Sequence, residues 1–204
     1  MEKTKNLKKA AEELMKIEGK VRGEVILNRL EYIRSQKGEE SINKIAKELN
    51  NLGHPLNIKK IHSLGWYSES LSILIILISQ KLFKWGDKEI FAMGNNAPKI
   101  SFIVKLLMKY FISLEMTFKA SPQNWAKHRS VGSISHVKYE KNKNKLTFRI
   151  NNYKFHPIMC IYLKGYFLAF ASLVIRNKEV QVIETKCMFK NDPYHEYLVT
   201  WKDK

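Results

Sequence analysis

The sequence predicts an α+β fold in which an N-terminal helical bundle packs on a four-stranded antiparallel sheet. Three observations predict it. Apolar residues recur at helical spacing through the first two-thirds of the chain, the last third changes to short alternating runs around two turn signals, and one strongly apolar helical run separates those hairpins. The order is helices, hairpin, helix, hairpin, and the simplest packing is one sheet covered by helices.

The elements follow in turn. Leu7, Ala10, Ala11, Leu14 and Ile17 repeat with helical spacing until Gly19. Val21 to Ile33 repeats it with Val25, Ile26, Arg29, Leu30 and Ile33, and Gly38 divides this run from Ile42, Ile45, Ala46 and Leu49, which Gly53-His54-Pro55 stops. Ser68 is placed to cap an apolar helix reaching Phe83, and in Gly86-Asp87 the Asp is placed to cap the next one. Pro98 is expected to start a further helix through Lys119, with Phe102, Ile103, Leu106, Leu107, Tyr110, Phe111, Leu114 and Phe118 nearly all round it. Ile134–Tyr139 and Leu146–Ile150 flank an Asn/Lys-rich turn and read as a hairpin. His156–Ile175 returns to helix, and Glu179–Thr185 with Glu196–Trp201 form a second hairpin around Asn191-Asp192-Pro193. The whole of 1–204 reads as a single domain, with a helical part over 1–60 and a ligand-binding α+β core over 61–204.

Composition bounds the function. The 204 residues carry 36 Lys and Arg against 19 Asp and Glu, a formal charge of +17, with 45% apolar and 11% aromatic residues. That is enough apolar material for a core, and no apolar run approaches the roughly 20 residues of a membrane span. The charged opening has no apolar segment behind it, so a cytoplasmic protein is expected. The positive charge is spread along the chain, and its densest stretch, around Lys141, Lys143 and Lys145, reads as a solvated turn. No helix-turn-helix or RNA-binding aromatic signature accompanies it, so specific nucleic-acid recognition is not expected, although a basic scaffold for nucleic acid or an acidic partner stays open. Phosphate-binding Gly-rich loops, a Ser nucleophile elbow and a His-Glu-x-x-His pattern are missing as well, so no catalytic residue is nominated.

The chemistry concentrates near the C-terminus. Glu184, Cys187 and His195 fall within one hairpin turn, and Cys160, the only other thiol, sits at the start of the helix before it. Carboxylate, thiol and imidazole are all zinc donors, and zinc takes four of them tetrahedrally. The alternative is that both thiols are core side chains and His195 a surface group, because no Cys-x-x-Cys anchors the case.

Glu-x-x-Cys followed by Asp-Pro-Tyr-His-Glu-Tyr resembles the C-terminal signature of the vinyl-reductase-type (4-vinyl reductase) ligand-binding domains, which include the sensor modules of aromatic-responsive activators. In those sensors the pattern ends in a second Cys, and an upstream Cys about two dozen residues before the Glu completes a structural zinc site. The resemblance implies Cys160, Glu184, Cys187 and His195 as the ligands here, with His195 replacing the final Cys. It implies a structural ion with no open position, so an enzyme is not expected. More weakly, Lys20-Val-Arg-Gly-Glu-Val-Ile-Leu-Asn-Arg-Leu, Lys37-Gly-Glu-Glu and Leu163-Lys-Gly-Tyr-Phe-Leu-Ala-Phe are similar in layout to the superfamily of haem nitric-oxide-binding domains and vesicle-tethering TRAPP subunits. The haem branch keeps a proximal His on the central helix and a Tyr-x-Ser-x-Arg motif. This chain has Glu115-Met116 and Tyr162-Leu-Lys-Gly instead, so haem is not expected.

The resemblance thus implies a sensor or regulatory module for a small hydrophobic or aromatic molecule, signalling through a separate partner or a homodimer. Tetrapyrrole-related vinyl reduction, or an accessory role in it, is the alternative. Aromatics at helical spacing are mostly core, and the resemblance alone singles out Phe111 and Trp125 as pocket residues.

Overall fold

The computed structural model describes residues 2–101, 104, 114–175 and 178–203. Its helices are α1 (Glu2–Met15), α2 (Gly23–Lys37), α3 (Glu40–Asn51), α4 (Glu69–Phe83), α5 (Asp87–Ile100), α6 (Leu114–Lys119), α7 (Ser121–His128) and α8 (Ile158–Val174). Its strands are β1 (Lys20–Arg22), β2 (Trp66–Ser68), β3 (Ser133–Glu140), β4 (Lys145–Asn151), β5 (Lys178–Lys186) and β6 (His195–Asp203). The expected α+β architecture is present. The four-stranded sheet runs β3-β4-β6-β5, antiparallel throughout.

The helical layer is organised by α4. Ser68 caps it, its hydroxyl accepting from the Leu71 N–H at 3.2 Å, and Ile73 to Ile78 are buried on every side of the helix. Helices α1, α2 and α3 supply the surrounding walls with Leu14, Ile26, Leu30, Ile33, Ile45 and Leu49.

Helices α5 and α8 cross closely because each presents a glycine to the other's backbone. A Cβ on Gly94 would stand 2.0 Å from the Tyr162 carbonyl oxygen, and one on Gly165 would stand 2.2 Å from that of Phe91. This contact seats α8 between the helical layer and the sheet. Alternate residues of β4 (Leu146, Phe148, Ile150) and of β6 (Tyr197, Val199, Trp201) are buried. Phe148 and Tyr197 meet Phe167 of α8 with ring centroids 4.7 and 4.9 Å apart.

Four local expectations are corrected. Lys20–Arg22 does not open the second helix but pairs with Trp66–Ser68 as a two-stranded ribbon; three residues are too few for an alternation signal. Asp87 is the first residue of α5 and not its cap: Gly86 holds the cap position, and its N–H donates to the Glu89 carboxylate at 2.8 Å. Pro98 starts nothing; it lies in the last turn of α5, which the packing on α8 carries past it. The single helix expected over Lys99–Lys119 is described only at its ends, where α5 stops at Ile100 and α6 begins at Leu114, and Phe111 falls outside the described residues. Among the described residues no helix is long and apolar enough to cross a membrane.

Candidate functional site

Cys160, Glu184, Cys187 and His195 converge. Cys160 stands in the first turn of α8, Glu184 lies just before a register break in β5, Cys187 follows that strand, and His195 opens β6. The four ligating atoms all lie within 4.8 Å of one another. The two sulfurs are 3.6 Å apart, and Cys160 Sγ is 3.9 Å from His195 Nδ1. Two thiolates bound at ~2.3 Å on a tetrahedral centre would be separated by about 3.8 Å, so this spacing suits a zinc-sized ion.

The surroundings brace the four donors. Between Cys187 and His195 the chain turns tightly: the Cys187 N–H donates to Asp192 Oδ2 at 2.8 Å, the Lys190 and Asp192 N–H groups donate to the Cys187 carbonyl, and Asn191 takes φ 67°. His195 is 2% exposed, and its Nε2 lies 3.2 Å from the Tyr153 carbonyl, which can only accept. With the ring proton there, Nδ1 turns its lone pair to Glu184 Oε1 at 2.9 Å, an arrangement that needs a proton or a cation between the two atoms. A ligating His commonly donates its other N–H in this way. Burial, then the Glu184 carboxylate, pushes the Cys160 thiol well above its ordinary value. The same two causes raise the Tyr197 hydroxyl. Excess negative charge in a buried pocket is what a divalent cation relieves.

A second feature lies between α7, α8 and the sheet. A cavity of about 70 Å³ is walled by Ile134, Val137, Leu146, Phe148, Phe167 and Phe170, with Trp125, Asn124, His128 and Arg129 of the α7 end along one side. Trp125, one of the two residues the resemblance singles out, is among those lining it. Its indole N–H donates to the Val131 carbonyl at 3.1 Å, and its ring meets Tyr153 edge-on at 5.4 Å. His128 was not foreseen. It lines this cavity and a smaller one of about 20 Å³ beside Glu24, Ser101 and Tyr162. Burial, reinforced by Arg129, Arg22 and Lys127, pushes the imidazole down to about 4 and keeps it neutral.

Behind the cavity is a buried ion network that sequence reading also missed. Glu69 is wholly buried; it accepts from the Tyr153 hydroxyl and lies 3.9 Å from Arg29 Nη2 and 3.7 Å from Arg129 Nε. Arg29 also donates to Ser72 Oγ and stacks over Tyr162 at 4.7 Å. Burial, the largest single influence, opposes the charge on Arg129, but Glu69 together with Tyr153, Tyr166 and Tyr162 outweighs it and holds the guanidinium above its ordinary value. Arg129 Nε and Asn124 Nδ2 are nonetheless buried with no hydrogen-bond partner.

Neither a protein-family model nor a curated protein matches the chain. Solved structures do. An H-NOX protein from S. oneidensis in the Fe(II)NO ligation state superposes with a TM-score of 0.68 at 14% identity, over 88% of this chain and 99% of that one. Unliganded Fe(II) H-NOX from K. algicida gives 0.62 at 13% identity over 90% and 97%. An oxygen-binding H-NOX domain related to soluble guanylate cyclases gives 0.57 at 14% identity over 89% and 95%. The chain has the fold of the haem nitric-oxide-binding domains.

That finding corrects the expectation against haem, because the fold it adopts is the one those iron-containing domains use. The donors here suit the group in kind. Segment 101–119 contains no His, but the cavity has a neutral imidazole in His128, a guanidinium and an amide with hydrogen bonds unmade, and a wall that is apolar apart from these and Ser121. These comparisons do not show the vinyl-reductase-type resemblance.

Proposed function

We propose that this chain is a small-molecule-binding sensor domain on the haem nitric-oxide-binding fold, with its ligand beside His128 and Arg129 and a zinc ion bracing its C-terminal hairpin. The observation that carries the ligand reading is a mismatch: the cavity is mostly apolar, yet two of the residues that line it, Asn124 and Arg129, each carry a buried side-chain nitrogen, Nδ2 and Nε, with no hydrogen-bond partner. Each such buried group costs about 1–3 kcal/mol unless a partner reaches it. In this reading a ligand's polar end meets these atoms and its apolar body replaces empty space.

Haem is the group the fold implies. His128 would offer its imidazole to the iron, and Arg129 and Asn124 would take the propionates, once the cavity of about 70 Å³, far smaller than a porphyrin, has widened. When bound, haem supplies an iron at which diatomic gases bind, as in the oxygen, nitric oxide and carbon monoxide complexes of the solved neighbours. This chain's own part is to hold a neutral imidazole among aromatic walls that exclude water. One observation favours a second reading: the wall is mostly apolar, which suits a compact apolar molecule, for which a cavity of about 70 Å³ would have to widen toward the ~150 Å³ that takes benzene.

Hemin titrated into the purified chain tests the first reading. A shifted Soret band that responds to carbon monoxide after reduction, and is lost or displaced in His128→Ala, supports it; the same band in His128→Ala refutes that assignment. A thermal shift by benzene, toluene or indole, abolished when the cavity is filled at its lining residue Ala171 by Ala171→Leu, supports the second. No hemin band and no shift with any of these would remove the sensor reading. For the metal, near-stoichiometric zinc in the wild type and its loss in Cys160→Ser and His195→Ala are expected, and a metal-free wild type would return both thiols to the core.

A further inference from the structure

The β1–β2 ribbon and the loop leading into it display two exposed apolar side chains beside a cluster of basic residues. Leu64 is 66% exposed and Trp66 is 40% exposed. Asn57–Ser68 contains Lys59, Lys60 and His62 with no acidic residue, and Lys20, Arg22 and Lys127 come from the two segments packed against it.

The loop is held rigidly. The Gly23 N–H donates to the Gly65 carbonyl and the Glu24 N–H to the Ser63 carbonyl, both at 2.9 Å, and a Cβ on Gly23 would stand 2.2 Å from the His62 carbonyl oxygen. Arg22 fixes the centre. Its guanidinium lies 3.9 Å over the Trp66 ring and donates to the carbonyls of Leu64, at 2.5 Å, and of Lys127, at 3.0 Å. Two large apolar groups are thus presented to solvent on a preorganised frame, which lowers the ordering cost of binding.

We propose that this surface docks an acidic protein partner: an apolar recess for Leu64 and Trp66, ringed by Asp and Glu that meet Lys59, Lys60 and Lys127. An exposed Trp with a stacked Arg is the composition of an interface hot spot, and a basic rim selects an acidic counterpart. A second copy of this chain suits it poorly, because two bodies of formal charge +17 would bring equal charges together. Nucleic acid suits it poorly too: Arg22 is already held by two carbonyls and a ring, and a protruding leucine has nothing to match on a phosphate backbone. Through Arg22 and the Lys127 carbonyl the surface is tied to the end of α7, whose next residues, His128 and Arg129, wall the cavity.

The test uses the full chain, ¹⁵N-labelled, titrated with a synthetic peptide in which Glu alternates with Leu and Phe. Polyglutamate and a DNA duplex serve as comparison probes. The expected result is that the peptide shifts amides of residues 20–24, 57–67 and 126–130. Leu64→Asp and the pair Lys60→Glu/Lys127→Glu should each weaken it about tenfold or more, at unchanged melting temperature, with polyglutamate weaker than the peptide. Affinity unaltered in Leu64→Asp, or shifts scattered over the whole surface, would reduce the effect to net charge and overturn the proposal. Leu64-dependent binding of the duplex to the same amides would make it a nucleic-acid surface, and self-association lost in Leu64→Asp would make it a contact between copies; either outcome also overturns it. Repeating the hemin and benzene measurements on Leu64→Asp separates this surface from the cavity, since either can fail without the other.

Discussion

Replacing Glu69 by Gln tests whether the buried ion network holds the helical layer to the sheet side of the molecule. Glu69 is wholly buried on α4, Arg29 comes from α2, Arg129 follows α7, and Tyr153 follows β4, so one carboxylate joins four separate parts of the chain. Gln keeps the shape and removes the charge. Two guanidinium groups, at 3.9 and 3.7 Å from that carboxylate, then lose their shared counter-ion in a site water does not reach. Removing one partner from such a buried pair costs about 3–5 kcal/mol. At about 2–4 °C per kcal/mol for a chain of this size, the melting temperature should fall by about 6–20 °C. Urea unfolding of the wild type and Glu69→Gln reads the difference from the midpoint at constant slope. Arg129→Met and the double variant Glu69→Leu/Arg129→Met complete the cycle, in which the double variant should be milder than the sum of the single ones, because no charge is stranded. A loss below about 1 kcal/mol in Glu69→Gln, or strict additivity in the cycle, would refute the network as a structural clamp.

His128 should make stability depend on pH. Its folded value of about 4 lies below the unfolded 6.5, so the unfolded chain binds the proton first; the contribution is full above 6.5 and is lost as pH falls toward 4. Between pH 7 and pH 4.5 the wild type should lose up to about 3 kcal/mol more than His128→Gln in urea titrations, and parallel losses would refute the assignment. Cys187→Ser, or a chelator added to the wild type, should lower the melting temperature by about 10 °C or more in differential scanning calorimetry, and an unmoved transition would argue for a packed thiol. Gly165→Ala should destabilise by about 1–3 kcal/mol although Ala is the better helix former, because its Cβ would meet the Phe91 carbonyl oxygen at 2.2 Å; a gain in melting temperature would contradict the helix crossing described.

Helices α1 to α4 and both hairpins were legible because their signals are local: a 3.6-residue apolar period, a Ser cap, an Asn/Lys turn. The three-residue strands were not. β1 exists because the Gly65 carbonyl and β2 lie alongside it, 40-odd residues away in sequence, and nothing within Lys20-Val-Arg distinguishes it from the start of a helix. Pro98 misled for a related reason. Proline opens helices on statistical grounds, but here the crossing of Gly94 and Gly165 fixes how far α5 runs, and that contact spans some 70 residues.

The same division separates the two clusters of the candidate site. Three of the four convergent donors lie on one hairpin, where strand pairing sets Glu184 opposite Tyr197 two places from His195, so their proximity could be read from spacing once the hairpin was recognised. Cys160 joins them because α8 leads into that hairpin. The cavity has no such local grammar. Asn124 and His128 on a short helix, and Arg129 just after it, have nothing unusual in sequence, and the residue that links this region to the cluster of four donors is Tyr153, which no motif marks. Its carbonyl faces His195 Nε2, its hydroxyl is on Glu69, and its ring packs edge-on against Trp125. A residue whose backbone and side chain serve two different clusters leaves no spacing to detect, because each partner comes from a different element. Its aromatic ring is its only sequence-level trace, and a Tyr among apolar neighbours is ordinarily read as core.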